Sequence, residues 1–169
     1  MIALLLCLAL QDDPADVIEQ ATAQLKEDPT NVDAFFARAD AFVSLDKFKE
    51  AIADCDEAIR LQPAQAHLYL VRGRARIGLT DLAGAMADLS RAIELRPSFP
   101  MNFVQRARAR VLAKDEEGAK VDAERALKLD PALKDAVAAA MKGEDPQKVT
   151  RKPTLQERIA ERQLTRIYR

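Results

Sequence analysis

The sequence predicts an all-α fold, a solenoid of antiparallel helix hairpins with an extra helix at its C-terminal end. Two observations carry this reading. The first is a period: Pro29, Pro63, Pro97 and Pro131 recur every 34 residues. Six further columns keep the same register: Arg38/Arg72/Arg106, Ala41/Ala75/Ala109, Ala51/Ala85/Ala119, Asp54/Asp88/Asp122, Ala58/Ala92/Ala126 and Leu61/Leu95/Leu129. A repeat of this length marks stacked supersecondary units. The second is composition: 169 residues with five glycines, no tryptophan, 49% hydrophobic and 31% charged residues. Such a mix favours helix and argues against a sandwich, a collagen or a disordered chain. The length allows one domain with appendages. A net charge of −1 is not that of a polycation built for nucleic acid. One histidine, with Cys7 and Cys55 far apart, leaves little for a zinc site or a disulfide framework. No apolar run reaches the roughly 20 residues of a membrane-spanning helix.

Residues 1–10 read MIALLLCLAL and stop at Gln11-Asp12-Asp13-Pro14. This short apolar run looks like the apolar region of a secretory signal, with Cys7 and Ala9 as a small-x-small cleavage pattern. No Lys or Arg precedes it, and Leu6 is bulky for a residue preceding an acylated Cys7. The reading is export, with a periplasmic location over a cytoplasmic one; the alternative is an apolar helix packed on the domain. Any membrane association would run through this segment. Residues 11–31 form a capping helix, whose inner stripe is Val17, Ala21 and Leu25.

Three units follow, at 32–65, 66–99 and 100–133. In the first, Phe35, Ala39 and Phe42 share one helical face. After a polar break at Asp46-Lys47, Phe48, Ala51, Ile52, Cys55, Ala58 and Ile59 repeat that spacing, and Pro63 stops the second helix. The next units place helices near 66–79 and 82–95, then 100–113 and 116–129. The alanine columns let paired helices approach closely. The arginine and aspartate columns pair Arg38 with Asp54, Arg72 with Asp88 and Arg106 with Asp122 within each hairpin, a structural role because it occurs three times.

Residues 132–142 read as a closing helix that shields the last apolar face. Gly143, Pro146 and Pro153 make 143–153 a linker. Thr154 and Glu157 form a capping box that opens a basic amphipathic helix over 154–169. Ala160, Leu164, Ile167 and Tyr168 lie on one side, with Arg158, Arg162, Arg166 and Arg169 along much of the rest. Charge is uneven: residues 1–30 sum to −5, residues 146–169 to +5 and the remainder to −1. A lone helix would leave Ala160, Leu164 and Ile167 exposed, so this one reads as a partner-binding arm, with docking on its own stack the weaker alternative.

No catalytic constellation emerges, and the chain reads as a non-enzyme without cofactor or metal. Gly73 and Gly78 have phosphate-loop spacing, but Leu79 stands where the lysine before Thr80 is required, and the segment lies inside a helix. His67 is alone, and Cys55 shares a column with Leu89 and Ala123, which makes it a core filler.

The 34-residue pattern resembles the tetratricopeptide repeat family over roughly residues 30–131. Counting from Val32, the first unit offers Phe35, Arg38, Ala39, Phe42, Ala51, Cys55, Ala58 and Pro63. The second offers Tyr69, Arg72, Gly73, Arg76, Ala85, Leu89, Ala92 and Pro97, and the third Phe103, Arg106, Ala107, Arg110, Ala119, Ala123, Ala126 and Pro131. Arginine stands for the usual leucine at position 7 in all three units, and Arg76 and Arg110 stand where the family has tyrosine. The resemblance implies a right-handed superhelix whose first helices line a concave groove.

The groove positions implied are Asp33, Phe36, Asp40, Val43 and Ser44 in the first unit, then His67, Leu70, Arg74, Ile77 and Gly78. The third unit adds Met101, Val104, Arg108, Val111 and Leu112. Phe36/Leu70/Val104 and Val43/Ile77/Val111 form two apolar rows, read as surplus surface for a partner; packing between neighbouring first helices is the other reading. The implied function is a scaffold that binds a peptide or helix of another protein, with Arg74 and Arg108 orienting an acidic segment. The lysines and asparagines that family members use to clamp acidic chaperone tails are absent. The alternative is contact of the basic 148–169 segment with nucleic acid or an anionic surface; Tyr168 alone gives weak support for stacking on bases.

Overall fold

The computed structural model describes residues 13–150. The segments at 1–12 and 151–169, with the signal-like run, the capping box and Arg158, Arg162, Leu164, Arg166 and Ile167, lie outside the described residues.

The described chain is α1 (Pro14–Glu27), α2 (Val32–Ser44), α3 (Phe48–Leu61), α4 (Ala66–Gly78), α5 (Leu82–Leu95), α6 (Pro100–Leu112) and α7 (Glu116–Leu129). A 3-10 turn (Pro131–Leu133), α8 (Lys134–Ala140) and the short α9 (Pro146–Thr150) follow. Start signals are chemical. Asn31 Oδ1 accepts from the Ala34 amide at 3.0 Å, and Asp81 and Asp115 do the same for Gly84 and Gly118 at 3.0 and 2.9 Å. Each satisfies an orphan N–H of the first turn. Pro14 and Pro100 sit in first turns, where a missing N–H costs nothing.

Each hairpin reverses through one residue in the left-handed region. These are Asp46, Thr80 and Lys114, at φ 57°, 61° and 63°. The following amide then bonds back to the helix: Lys47 N–H to Phe42 O at 2.9 Å, Asp81 N–H to Arg76 O at 2.9 Å, and Asp115 N–H to Arg110 O at 2.8 Å. That geometry closes a helix C-terminus and aims the next helix antiparallel.

The alanine columns sit at the crossings. Ala51, Ala85 and Ala119 are fully buried, as are Ala58, Ala92 and Ala126. Neighbouring first helices pack on one another (α2 on α4, α4 on α6, α6 on α8), whereas no comparable packing joins successive second helices among the described residues. The stack therefore curves with its first helices on the inside, which sets the concave face.

The Arg–Asp ladder runs through the interior. Arg38 donates to both carboxylate oxygens of Asp54 at 2.7 Å. Arg72 grips Asp88 at 2.9 and 2.6 Å, and Arg106 grips Asp122 at 2.9 and 2.8 Å. Each arginine also reaches back to the preceding unit: Arg38 to Thr22, Arg72 to Asp56 and Arg106 to Ser90, at 3.1, 2.6 and 3.0 Å. One guanidinium thus ties a hairpin shut and joins it to its neighbour. Arg76 and Arg110 have a place here too. Their Nη1 atoms lie 2.9 Å from the carboxylates of Asp88 and Asp122, and they donate to the Gly84 and Gly118 carbonyls.

The linker expected at 143–153 is partly helical. Gly143, at φ 78°, ends α8; Asp145 Oδ1 accepts from the Gln147 amide at 3.0 Å, and buried Pro146 opens α9. Asp–Pro is a helix start as much as a breaker, because proline's fixed φ suits the first turn.

Candidate functional site

The concave face is built from α2, α4 and α6. Their close approach on the inside of the curve decides what remains open. Leu70, Ile77, Val104 and Val43 are all buried. Val43 packs with Val71 and Ala75, Leu70 and Ile77 with Ala85, Leu89 and Ala109, and Val104 with Ala136, Val137 and Ala140. The two rows are therefore inter-repeat core over most of their length and not surplus surface. Val111 is half-buried at the end of its row. The partly open residues cluster at the N-terminal ends of the first helices: Phe36, His67 and Met101, beside exposed Asp33. Phe36 meets the His67 ring edge-on, centroids 4.5 Å apart. Burial pulls the His67 pKa below its ordinary value, Arg96 adds to this, and Asp33 opposes it.

The two groove arginines are spoken for. Arg74 is buried, and its Nη1 donates to Asp40 Oδ1 at 2.5 Å, tying α4 to α2. Its Nε is a buried donor with no partner among the described residues. Arg108 Nε donates to the Gly143 carbonyl at 3.2 Å, and its Nη1 lies 3.9 Å from Asp145. Burial pulls the Arg108 pKa down, Asp145 raises it, and nearby Arg74 lowers it further. The expectation that these cations wait for an acidic ligand meets carboxylates of the chain itself, brought in by folding.

Sequence reasoning missed the segment beyond α8. From Gly143, beside Leu112 and Arg108 of the third unit, the chain runs to Lys148, whose Nζ is 3.0 and 3.2 Å from the two carboxylate oxygens of Asp46 in the first unit. Both anchors lie at the C-terminal ends of first helices, Leu112 on α6 and Asp46 just beyond α2. Nothing local signals a contact between residues 102 positions apart.

Other expectations concern chemistry. Cys55 is fully buried, and burial pushes its thiol up to about 12. Gly73 and Gly78 lie within α4, where no phosphate loop exists. Among the described residues no cluster of three or more metal-ligating side chains occurs, and no helix is long and apolar enough to cross a membrane.

Comparison with known proteins agrees with this geometry. A thermophilic TPR protein of Thermus thermophilus superposes at TM-score 0.69 with 20% identity, covering 75% of this chain and 72% of its own. A structure of MamA gives TM-score 0.66 and 19% identity, covering 76% and 79%. The first TPR of Spaghetti (RPAP3), bound to the HSP90 peptide SRMEEVD, gives 0.61 and 24%, covering 66% and 87%. No curated protein matches the sequence. The tetratricopeptide repeat model matches residues 32–65 and 66–99, so these two units are tetratricopeptide repeats, and the hairpin stack around them has the fold of the tetratricopeptide repeat solenoids.

Proposed function

We propose that the chain is a non-catalytic scaffold that binds a peptide or helix of a partner protein on its concave face. Scaffolds of this family generally mediate protein–protein interaction, and one structural neighbour holds a peptide. The observation that carries the reading is the partly open patch of Phe36, His67 and Met101 rimmed by exposed Asp33, on a face where Leu70, Ile77, Val43 and Val104 are packed shut. Partly exposed aromatic and sulfur-bearing side chains beside a charge are typical of interface anchors. The patch favours a partner with apolar and basic side chains. An acidic segment would first have to displace Asp40 from Arg74 and Asp145 from Arg108.

The test is in-cell photo-crosslinking from position 101, followed by titration of the captured partner against Asp33→Lys and Met101→Glu. Both should weaken binding at least tenfold while circular dichroism stays unchanged. Unaltered affinity in both variants would refute the patch. A steep fall of affinity with salt, independent of position 101, would instead favour the basic 148–169 segment on nucleic acid or an anionic surface.

A further inference from the structure

We infer that the concave patch has a resident occupant: the chain's own C-terminal segment 154–168, held in cis, so that a partner must displace it. This rests on the proposed use of that face, and it departs from the expectation of an arm free to bind in trans.

Three observations carry it. The first is the path of the described chain. Residues 143–148 cross the inner side of the stack, anchored on Arg108 at one end and on Asp46 at the other. Pro146 is fully buried along the way. The crossing brings Lys148 to the Asp46 turn just beyond the C-terminal end of α2, so that a segment running back along α2 would reach Phe36 and Asp33 at its N-terminal end. A segment leaving to seek a distant partner has no need of this return.

The second is length. Only residues 151–153 separate Thr150 from the capping box at Thr154. A helix over 154–168 would extend about 22 Å, and the first helices, at 13 residues, extend about 20 Å. The segment matches the face it is delivered to.

The third is chemistry. Residues 151–169 carry six basic and two acidic side chains. The inward positions of α2 carry Asp33 and Asp40 and no cation, because Arg38 is turned to Asp54. Asp33 is exposed and has no ion-pair partner among the described residues. Ala160, Leu164 and Ile167 offer the apolar stripe that Phe36, His67 and Met101 could cover. Lys148 on Asp46 already shows one basic side chain of this end of the chain paired with an acid of the first unit.

The test uses the full chain with a photo-reactive phenylalanine analogue at position 36, irradiated at low micromolar concentration. The expected product is a monomer whose cross-link maps to residues 154–168. Its yield should fall about tenfold in Arg158→Glu/Arg162→Glu and should not change on dilution. A dimeric product means that a second copy fills the face and overturns the inference, as does a cross-link that never reaches 154–168. Amide exchange on the same samples should show protection of 155–168 that is lost in the charge-reversed variant; full exchange in the wild type also overturns it. A cis cross-link with no partner ever captured from position 101 would keep this inference and sink the proposed scaffold role.

Discussion

Arg72 holds two carboxylates at once, and their different burial allows a test within one guanidinium. Its Nη2 is 2.6 Å from Asp88 and its Nη1 is 2.6 Å from Asp56. Asp88 is 5% exposed and also takes Arg76 Nη1 at 2.9 Å, whereas Asp56 is 53% exposed and lies on the outer helix. Distance alone ranks the pairs as equal; burial does not. Asp88→Asn leaves two partly buried guanidiniums facing a neutral amide, and breaking a buried pair costs roughly 3–5 kcal/mol. Asp56→Asn removes a solvent-screened pair worth about 0–1 kcal/mol. With a urea slope of about 2–3 kcal/mol/M, Asp88→Asn should move the unfolding midpoint down by about 1–2 M and Asp56→Asn by a few tenths. The assay is helical circular dichroism against urea. Asp88 lies in the central unit, so its loss cannot be absorbed as fraying of an end. Equal shifts, or a loss below about 1 kcal/mol for Asp88→Asn, would refute the claim that burial decides the ladder's contribution.

Thr80 is β-branched at φ 61°, where an L-residue costs about 1–2 kcal/mol. Against the larger chain entropy of glycine, Thr80→Gly should still stabilise by about 0.5–1 kcal/mol, and a lower melting temperature would contradict that. Gln105 is fully buried, and both its amide atoms lack partners among the described residues. Its equivalent in the second unit is Val71, packed in the core. Each unsatisfied group costs about 1–3 kcal/mol, so Gln105→Leu should raise the melting temperature by several degrees; a fall would show that the amide is satisfied in solution. His67 is protonated near 6.5 when unfolded and only at lower pH when folded. Its contribution to stability is therefore fully present above 6.5 and is lost as pH falls from there through the folded value. The resulting slope in melting temperature should vanish in His67→Gln, and an NMR titration midpoint at or above 6.5 would rule it out.

The hairpins, their boundaries and the ladder were legible in the residues because they rest on local and periodic rules. A 3.6-residue spacing, a small residue at each crossing and a charge recurring every 34 positions keep their meaning wherever the chain goes. Arg38 and Asp54 could be paired on paper because one tight turn separates their helices. What remained open was set by curvature. Leu70 and Val104 look like binding surface on their own helices; only the approach of neighbouring first helices buries them. Arg74 and Arg108 look like free cations, since Asp40 and Asp145 lie 34 and 37 positions away in sequence. The return of the chain across the stack was invisible for the same reason. Lys148 and Asp46 meet because the hairpins stack into a curve that brings the last turn over the first, and a contact so distant in sequence depends on the sum of all inter-repeat packing, which no short stretch of residues encodes.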